Sequence, residues 1–140
     1  MAMVGDPVAR LGRLGIFADL TETQLRDLAV ELDEQSFPEG GWVLRQGTPG
    51  VGLYIVVDGE VGVVIDDEER VTLTTGSFFG EISVLLDEPT TAGIVVRKPL
   101  RCLVIPPNQA KAFLLAHPPV MFRMLQTEAR RLRTSSPERD

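Results

Sequence analysis

Leu53-Tyr54-Ile55-Val56-Val57-Asp58-Gly59-Glu60-Val61-Gly62-Val63-Val64-Ile65 decides how the rest of the chain is read. Outside its Asp-Gly-Glu centre and Gly62 it is built from Val, Ile, Leu and Tyr. Branched and aromatic side chains of this kind suit a pleated strand and lose rotamer freedom in a helix. Two apolar runs meeting at Asp58-Gly59 predict a hairpin, with strands over Leu53-Val57 and Glu60-Ile65. The same chemistry continues on both sides. Trp42-Arg45, Arg70-Thr74, Gly93-Arg97 and Arg101-Ile105 read as further strands, Thr75-Gly76 as a turn, and Asp66-Asp67-Glu68-Glu69 as a solvated hairpin tip. Residues 42 to 106 therefore predict a mainly β fold, an antiparallel β-roll of jelly-roll type.

Helical periodicity appears only at the two ends. Thr21 with Gln24 forms a capping box, and Leu25, Leu28, Ala29 and Leu32 then recur at helical spacing, which predicts a helix over Glu22 to Asp33. Phe37-Pro38-Glu39-Gly40-Gly41 separates it from the strands. After Pro106-Pro107 a short helix is expected to about Ala116, and a second starts at Pro118-Pro119, where proline suits the first turn. On that last helix Phe122, Leu125, Ala129 and Leu132 share a face, expected to pack on the roll, with a second copy of the chain or an effector protein as the alternative cover. Arg123, Arg130, Arg131 and Arg133 fall largely off the stripe, and the later arginines complement the helix dipole. Phe113-Leu114-Leu115 and Ile94-Val95-Val96 read as core. Residues 1–133 are expected to form one domain and residues 134–140 a disordered tail.

Composition narrows the function. At 140 residues the chain can bury one core but has no room for a second domain. No stretch approaches the roughly 20 apolar residues of a membrane helix, and Met1 to Arg10 lacks the apolar core of a secretion signal, so a cytoplasmic protein is expected. A net charge of −6 argues against direct contact with nucleic acid. Cys102 is the sole cysteine and His117 the sole histidine, which leaves no disulfide, no zinc set and no histidine cluster of the kind a metal-dependent cupin needs. With no nucleophile paired to a base, the chain reads as a non-enzyme that needs no cofactor.

Phe79-Gly80-Glu81-Ile82-Ser83-Val84-Leu85-Leu86 breaks the β pattern and predicts one or two helical turns inserted between strands. A helix start offers unpaired backbone N–H groups and a positive dipole end, which suit a phosphate. Gly80 allows close approach, and Glu81 can accept a hydrogen bond from a sugar hydroxyl. Taken alone, the pair fits equally well a turn glycine followed by a surface acid.

Over residues 14 to 133 the ordered motifs resemble the cyclic-nucleotide-binding domain family, which includes effector domains of catabolite activator proteins and protein kinase A regulatory subunits. Leu14-Gly15-Ile16-Phe17 with the capped helix matches its entry segment. Arg45-Gln46-Gly47, Leu53 to Val61 and Gly76-Ser77-Phe78-Phe79-Gly80-Glu81 match its glycine framework in order and spacing. The resemblance implies that Gly80 to Ala92 is a phosphate-binding cassette for cAMP or cGMP. Glu81 and the Gly80 carbonyl would hold the ribose 2′-hydroxyl. Ile82 lies between them and Ser83, whose N–H, with that of Thr91, would face the cyclic phosphate. Val61, Val63, Val71 and Leu73 would flank the base, and Phe122 to Arg130 would supply a lid.

The chain departs from the family at Thr90, which stands where an arginine usually lies beneath the phosphate. An arginine forms bidentate, charge-assisted bonds there, and loss of one buried charged partner costs about 2 to 5 kcal/mol. The hydroxyls of Thr90 and Thr91 could compensate in part, or Arg97 or an arginine of the last helix could reach in. Two functions follow: a stand-alone regulatory module that binds a cyclic nucleotide and signals through its C-terminal helices, or a degenerate domain that keeps the fold as a structural or protein-interaction module. A DNA-binding output would need a helix-turn-helix that residues 134–140 are too short to form.

Overall fold

Two long antiparallel strands carry the architecture of this computed structural model, which describes residues 6–135. Strand β3 (Leu53–Ile65) pairs with β6 (Gly93–Ile105) from Leu53 opposite Ile105 to Val64 opposite Gly93. Each long strand is shared by two short ones. On β6, β1 (Asp33–Phe37) takes one half and β2 (Trp42–Leu44) the other; on β3, β5 (Phe78–Phe79) and β4 (Glu68–Thr74) do the same. Different neighbours on the two halves wrap the six-stranded sheet into an antiparallel β-roll.

The expected hairpin at Asp58-Gly59 is absent, because β3 runs straight through it. A two-residue hairpin of this kind needs positive φ at both central positions, and here only Gly59 has it, at +110°. The pairing with β6 instead shifts register on either side of Asp58 and Glu60, the mark of a bulge. Gly59 lies so close to the Pro99 carbonyl and Leu100 Cα that a Cβ would collide with backbone. The irregularity also switches the buried face. Leu53, Ile55 and Val57 point to one core, Val56 to the other, and beyond the bulge it is Val61 that continues the second core. The two-residue turn sits instead at Asp66-Asp67, with φ of 53° and 64°, and Glu68 and Glu69 already belong to β4.

Two apolar clusters line the sheet's two faces. Outside the roll, Leu53, Ile55, Phe78, Leu103 and Ile105 pack against helices. Inside it, Leu44, Val56, Val61, Phe79, Ile94, Val96, Leu100 and Cys102 pack on one another. A fully buried residue of this kind contributes about 1.5 to 3 kcal/mol of transfer free energy.

The helices form the outer layer: α1 (Pro7–Gly12), a 3₁₀ turn at Gly15–Phe17, α2 (Glu22–Glu31), α3 (Glu81–Leu86), α4 (Pro107–Ala116) and α5 (Pro118–Ser135). The capping box forms as expected, with Gln24 N donating to Thr21 Oγ1 at 3.2 Å and Thr21 N to Gln24 Oε1 at 2.8 Å. Helix α2 ends before Asp33, which starts β1. That strand escapes sequence reading because Asp33-Glu34-Gln35-Ser36 is polar and exposed; Glu34 is held by Arg10 at 3.1 Å and Arg101 at 3.2 Å.

Of the stripe on α5, Phe122 and Leu125 are not covered by the roll. Phe122 is 60%, Leu125 62% and Leu132 59% exposed, while Val120 and Met124, on the opposite side of the helix, enter the core. Leu115 is likewise exposed, whereas Leu114 and Ile94-Val95-Val96 are buried. Thr134 belongs to α5, and the rest of the expected tail beyond Ser135 lies outside the described residues.

Candidate functional site

Helix α3 is placed by Gly80, its N-cap, which has φ +86° and sits so tightly against the Gly52 carbonyl that a Cβ would overlap it. Its far end closes on itself: Ser83 Oγ donates to the Glu88 carbonyl at 2.6 Å, and Asp87 N donates to the Ser83 carbonyl at 2.9 Å. This fixes Glu81 and Ser83 as buried polar residues in an otherwise apolar neighbourhood.

A cavity of about 880 Å³ opens beside α3. Gly80, Glu81, Ile82 and Ser83 line one side, Thr90 and Thr91 continue it, and Val63, Val71 and Leu73 supply an apolar wall. Val61, expected on that wall, is fully buried in the inner core and does not line the cavity. Helix α5 closes the remaining side with Thr127, Glu128, Arg130 and Arg131. Phe122, at the start of the expected lid segment, faces away from it.

Thr90 is committed elsewhere. Its Oγ1 donates to the Arg45 carbonyl at 3.1 Å and accepts from Thr48 N at 3.3 Å, while its own N–H donates to the Thr48 carbonyl at 3.0 Å. Its hydroxyl thus clips the Arg45–Thr48 turn. Thr91 is exposed. Arg97 is bound to Glu69 across the sheet and lines a different hollow with Trp42, so it brings no charge to this one.

Arg70, Arg130 and Arg131 all line the cavity, and Arg131 is the one that binds Glu81. It donates from Nη1 to Glu81 Oε2 and to Glu128 Oε1, both at 2.9 Å, and from Nη2 to the Phe78 carbonyl at 3.3 Å; its guanidinium lies 4.7 Å from the Phe78 ring centre. Glu81 is pushed up from an ordinary value of 4.5 to about 7. Burial is the main cause, followed by the negative charge of Glu128 and a hydrogen bond with it, and Arg131 pulls the other way. Sequence reading named arginines of the last helix only as a group. The finer signal was available, since Thr127, Glu128, Arg131 and Thr134 recur at helical spacing and give α5 a polar face opposite the apolar one.

Cyclic nucleotide-binding domain is the family description that matches residues 34–117. The chain belongs to this family. It is 36% identical over 116 residues to a cGMP-dependent protein kinase of Plasmodium berghei, an alignment spanning 83% of this chain and 14% of the kinase, so the chain corresponds to a small part of that relative. Among solved structures, the Thermus thermophilus catabolite activator protein superposes with a TM-score of 0.76 at 26% identity, covering 88% of this chain and 60% of that one. The regulatory subunit of a cAMP-independent protein kinase A from Trypanosoma brucei shares the fold with a TM-score of 0.73 at 24% identity, covering 86% and 45%. That subunit was solved bound to cAMP as a triple mutant, one of whose changes replaces threonine by arginine.

Among the described residues, no group of three or more His, Cys, Asp or Glu is placed to hold a metal ion, and no helix is long and apolar enough to cross a membrane. His117, at the α4–α5 junction, donates from Nδ1 to the Phe113 carbonyl at 2.8 Å and lies against the Phe113 ring at a tilt of 36°.

Proposed function

We propose that this domain, residues 1–133 acting as one non-catalytic unit in the cytoplasm, is a regulatory module that binds cAMP or cGMP and signals through α5. One observation carries the reading: Glu81, buried at the start of α3, opens onto a cavity whose other walls are the apolar face of β3 and β4 and a C-terminal helix. Glu81 and the Gly80 carbonyl take the sugar hydroxyl, the amides of Ser83 and Thr91 meet the phosphate, and Val63, Val71 and Leu73 flank the base. Calorimetric titration with cAMP and then cGMP tests this. Saturable binding that Glu81→Ala abolishes supports the sensor; no heat up to millimolar ligand defeats it.

Thr90 favours a second reading, the degenerate interaction module, because its hydroxyl is spent on the Arg45–Thr48 turn and supplies no cation beneath a phosphate. The two readings part on Thr90→Arg. Restoring a bidentate donor is expected to strengthen cyclic nucleotide binding by at least about tenfold, corresponding to roughly 1.4 kcal/mol or more. A cavity that has lost its ligand altogether stays silent.

The partner we propose for the outer face of α5 is a second copy of the chain. Phe122 and Leu125 present exposed apolar surface on the side of α5 away from the cavity, the kind of surface a second copy would cover.

A further inference from the structure

Arg131 occupies the place of a ligand group. Its Nη1 holds Glu81 Oε2 at 2.9 Å, and Glu81 is the acceptor that the sensor reading reserves for a sugar hydroxyl. The Glu81 side chain is 7% exposed and that of Arg131 37%, so the pair sits at the boundary between the cavity and solvent, with the carboxylate inside. Glu128 and the Phe78 carbonyl bind the same guanidinium, which also rests on the Phe78 ring. These partners belong to β5, α3 and α5, so one side chain ties the C-terminal helix to the cassette across 50 residues of sequence. Its donors are taken up by Glu81, Glu128 and the Phe78 carbonyl of the protein itself, which distinguishes it from a cation held ready for a phosphate.

We propose that Arg131 is an internal competitor for Glu81, a latch that the ligand must displace before its hydroxyl can bind, so that α5 is released by the same event that fills the site. The proposal rests on the sensor reading and adds a specificity-determining residue to it. Because the ligand hydroxyl gains Glu81 only as Arg131 loses it, the latch lowers affinity and converts binding into helix movement. A ligand without that hydroxyl has nothing to exchange for Arg131 and leaves α5 in place.

The test compares the wild-type chain with Arg131→Gln and Arg131→Lys in two measurements. In calorimetric titration with cAMP, cGMP and 2′-deoxy-cAMP, Arg131→Gln is expected to bind the ribonucleotides at least about tenfold more tightly than wild type, the scale of one charge-assisted hydrogen bond removed from the competition. Arg131→Lys, which keeps the charge without the planar stacking and fork, is expected between the two. In hydrogen exchange without ligand, the amides of residues 127–134 are expected to exchange faster in Arg131→Gln than in wild type. Equal or weaker ribonucleotide binding by Arg131→Gln, with wild type binding normally, overturns the latch and makes Arg131 a ligand-holding residue. If no form binds any nucleotide, the sensor reading fails and the latch is overturned with it, and faster exchange over 127–134 in Arg131→Gln then marks Arg131 as a purely structural tie on α5.

Discussion

At the scale of single residues, Glu81 imposes a pH dependence. The folded chain keeps its proton up to about pH 7, whereas an ordinary carboxyl gives it up near 4.5. Between those values the folded state binds more protons than the unfolded one, so the contribution of Glu81 to stability is greatest below about pH 4.5 and declines as pH rises through about 7. Asp19 acts in the opposite sense, since its bond to Arg123 at 2.7 Å holds its carboxyl below the usual range and favours folding at higher pH. Comparison with Glu81→Gln isolates the first effect. In urea unfolding from pH 4.5 to 7.5, the stability of Glu81→Gln is expected to rise relative to wild type with increasing pH, by on the order of 2 to 3 kcal/mol across the window. A constant difference between the two would mean that Glu81 ionises normally. Thr90 shows the limit of reading residues one at a time: its identity in the sequence offered a hydroxyl, and only the fold reveals that the Arg45 carbonyl and Thr48 N–H already use it.

At the scale of elements, the legible features were those whose cause is local. The capping box before α2 involves side chains three residues apart, and the short helix after Gly80 follows from a glycine and an apolar run. The continuity of β3 was not legible, because Asp-Gly suits both a tight turn and a bulge, and the choice is made by Pro99 and Leu100 on β6. Gly59→Ala is therefore expected to destabilise the fold by several kcal/mol, through a Cβ against backbone and a positive φ, and thermal unfolding measures it. Gly47→Ala, at φ +86° but with open space around it, serves as the control and is expected to cost less. Periodicity likewise placed Phe122, Leu125 and Ala129 on one face of α5, but the expected packing of that face on the roll does not occur, since Phe122 and Leu125 stay exposed. If a second copy covers them, sedimentation or light scattering should give a dimer mass that Leu125→Glu reduces to that of a folded monomer, since Leu125 takes no part in the core of the single chain. A monomeric wild type removes the self-association reading and leaves an effector protein as the occupant.

At the scale of the whole molecule, the sequence already indicated a roll with helices at both ends, because six β-rich runs and three terminal helical segments leave few ways to bury their apolar faces. What it could not reveal was the closure of the site. The contact between Arg131 and Glu81 joins the last helix to the middle of the chain; helical spacing puts Arg131 on a polar face of α5, but the partner that face meets is set by the fold. The same contact explains why Thr90 alone does not decide function: the cavity's buried carboxylate is paired with a cation from α5, on a different element from the one the cassette pattern specifies.

Helix α5 carries the polar contact to Glu81 and the exposed Phe122 and Leu125 on opposite sides of one rigid rod. Anything that grips the outer side and prefers one position of the rod alters the energy needed to withdraw Arg131. Thermodynamic linkage then makes the influence mutual, since the factor by which an occupant of the cavity changes affinity for the outer face equals the factor by which the outer partner changes affinity for the occupant. Titrating nucleotide at rising protein concentration would read that exchange in either direction.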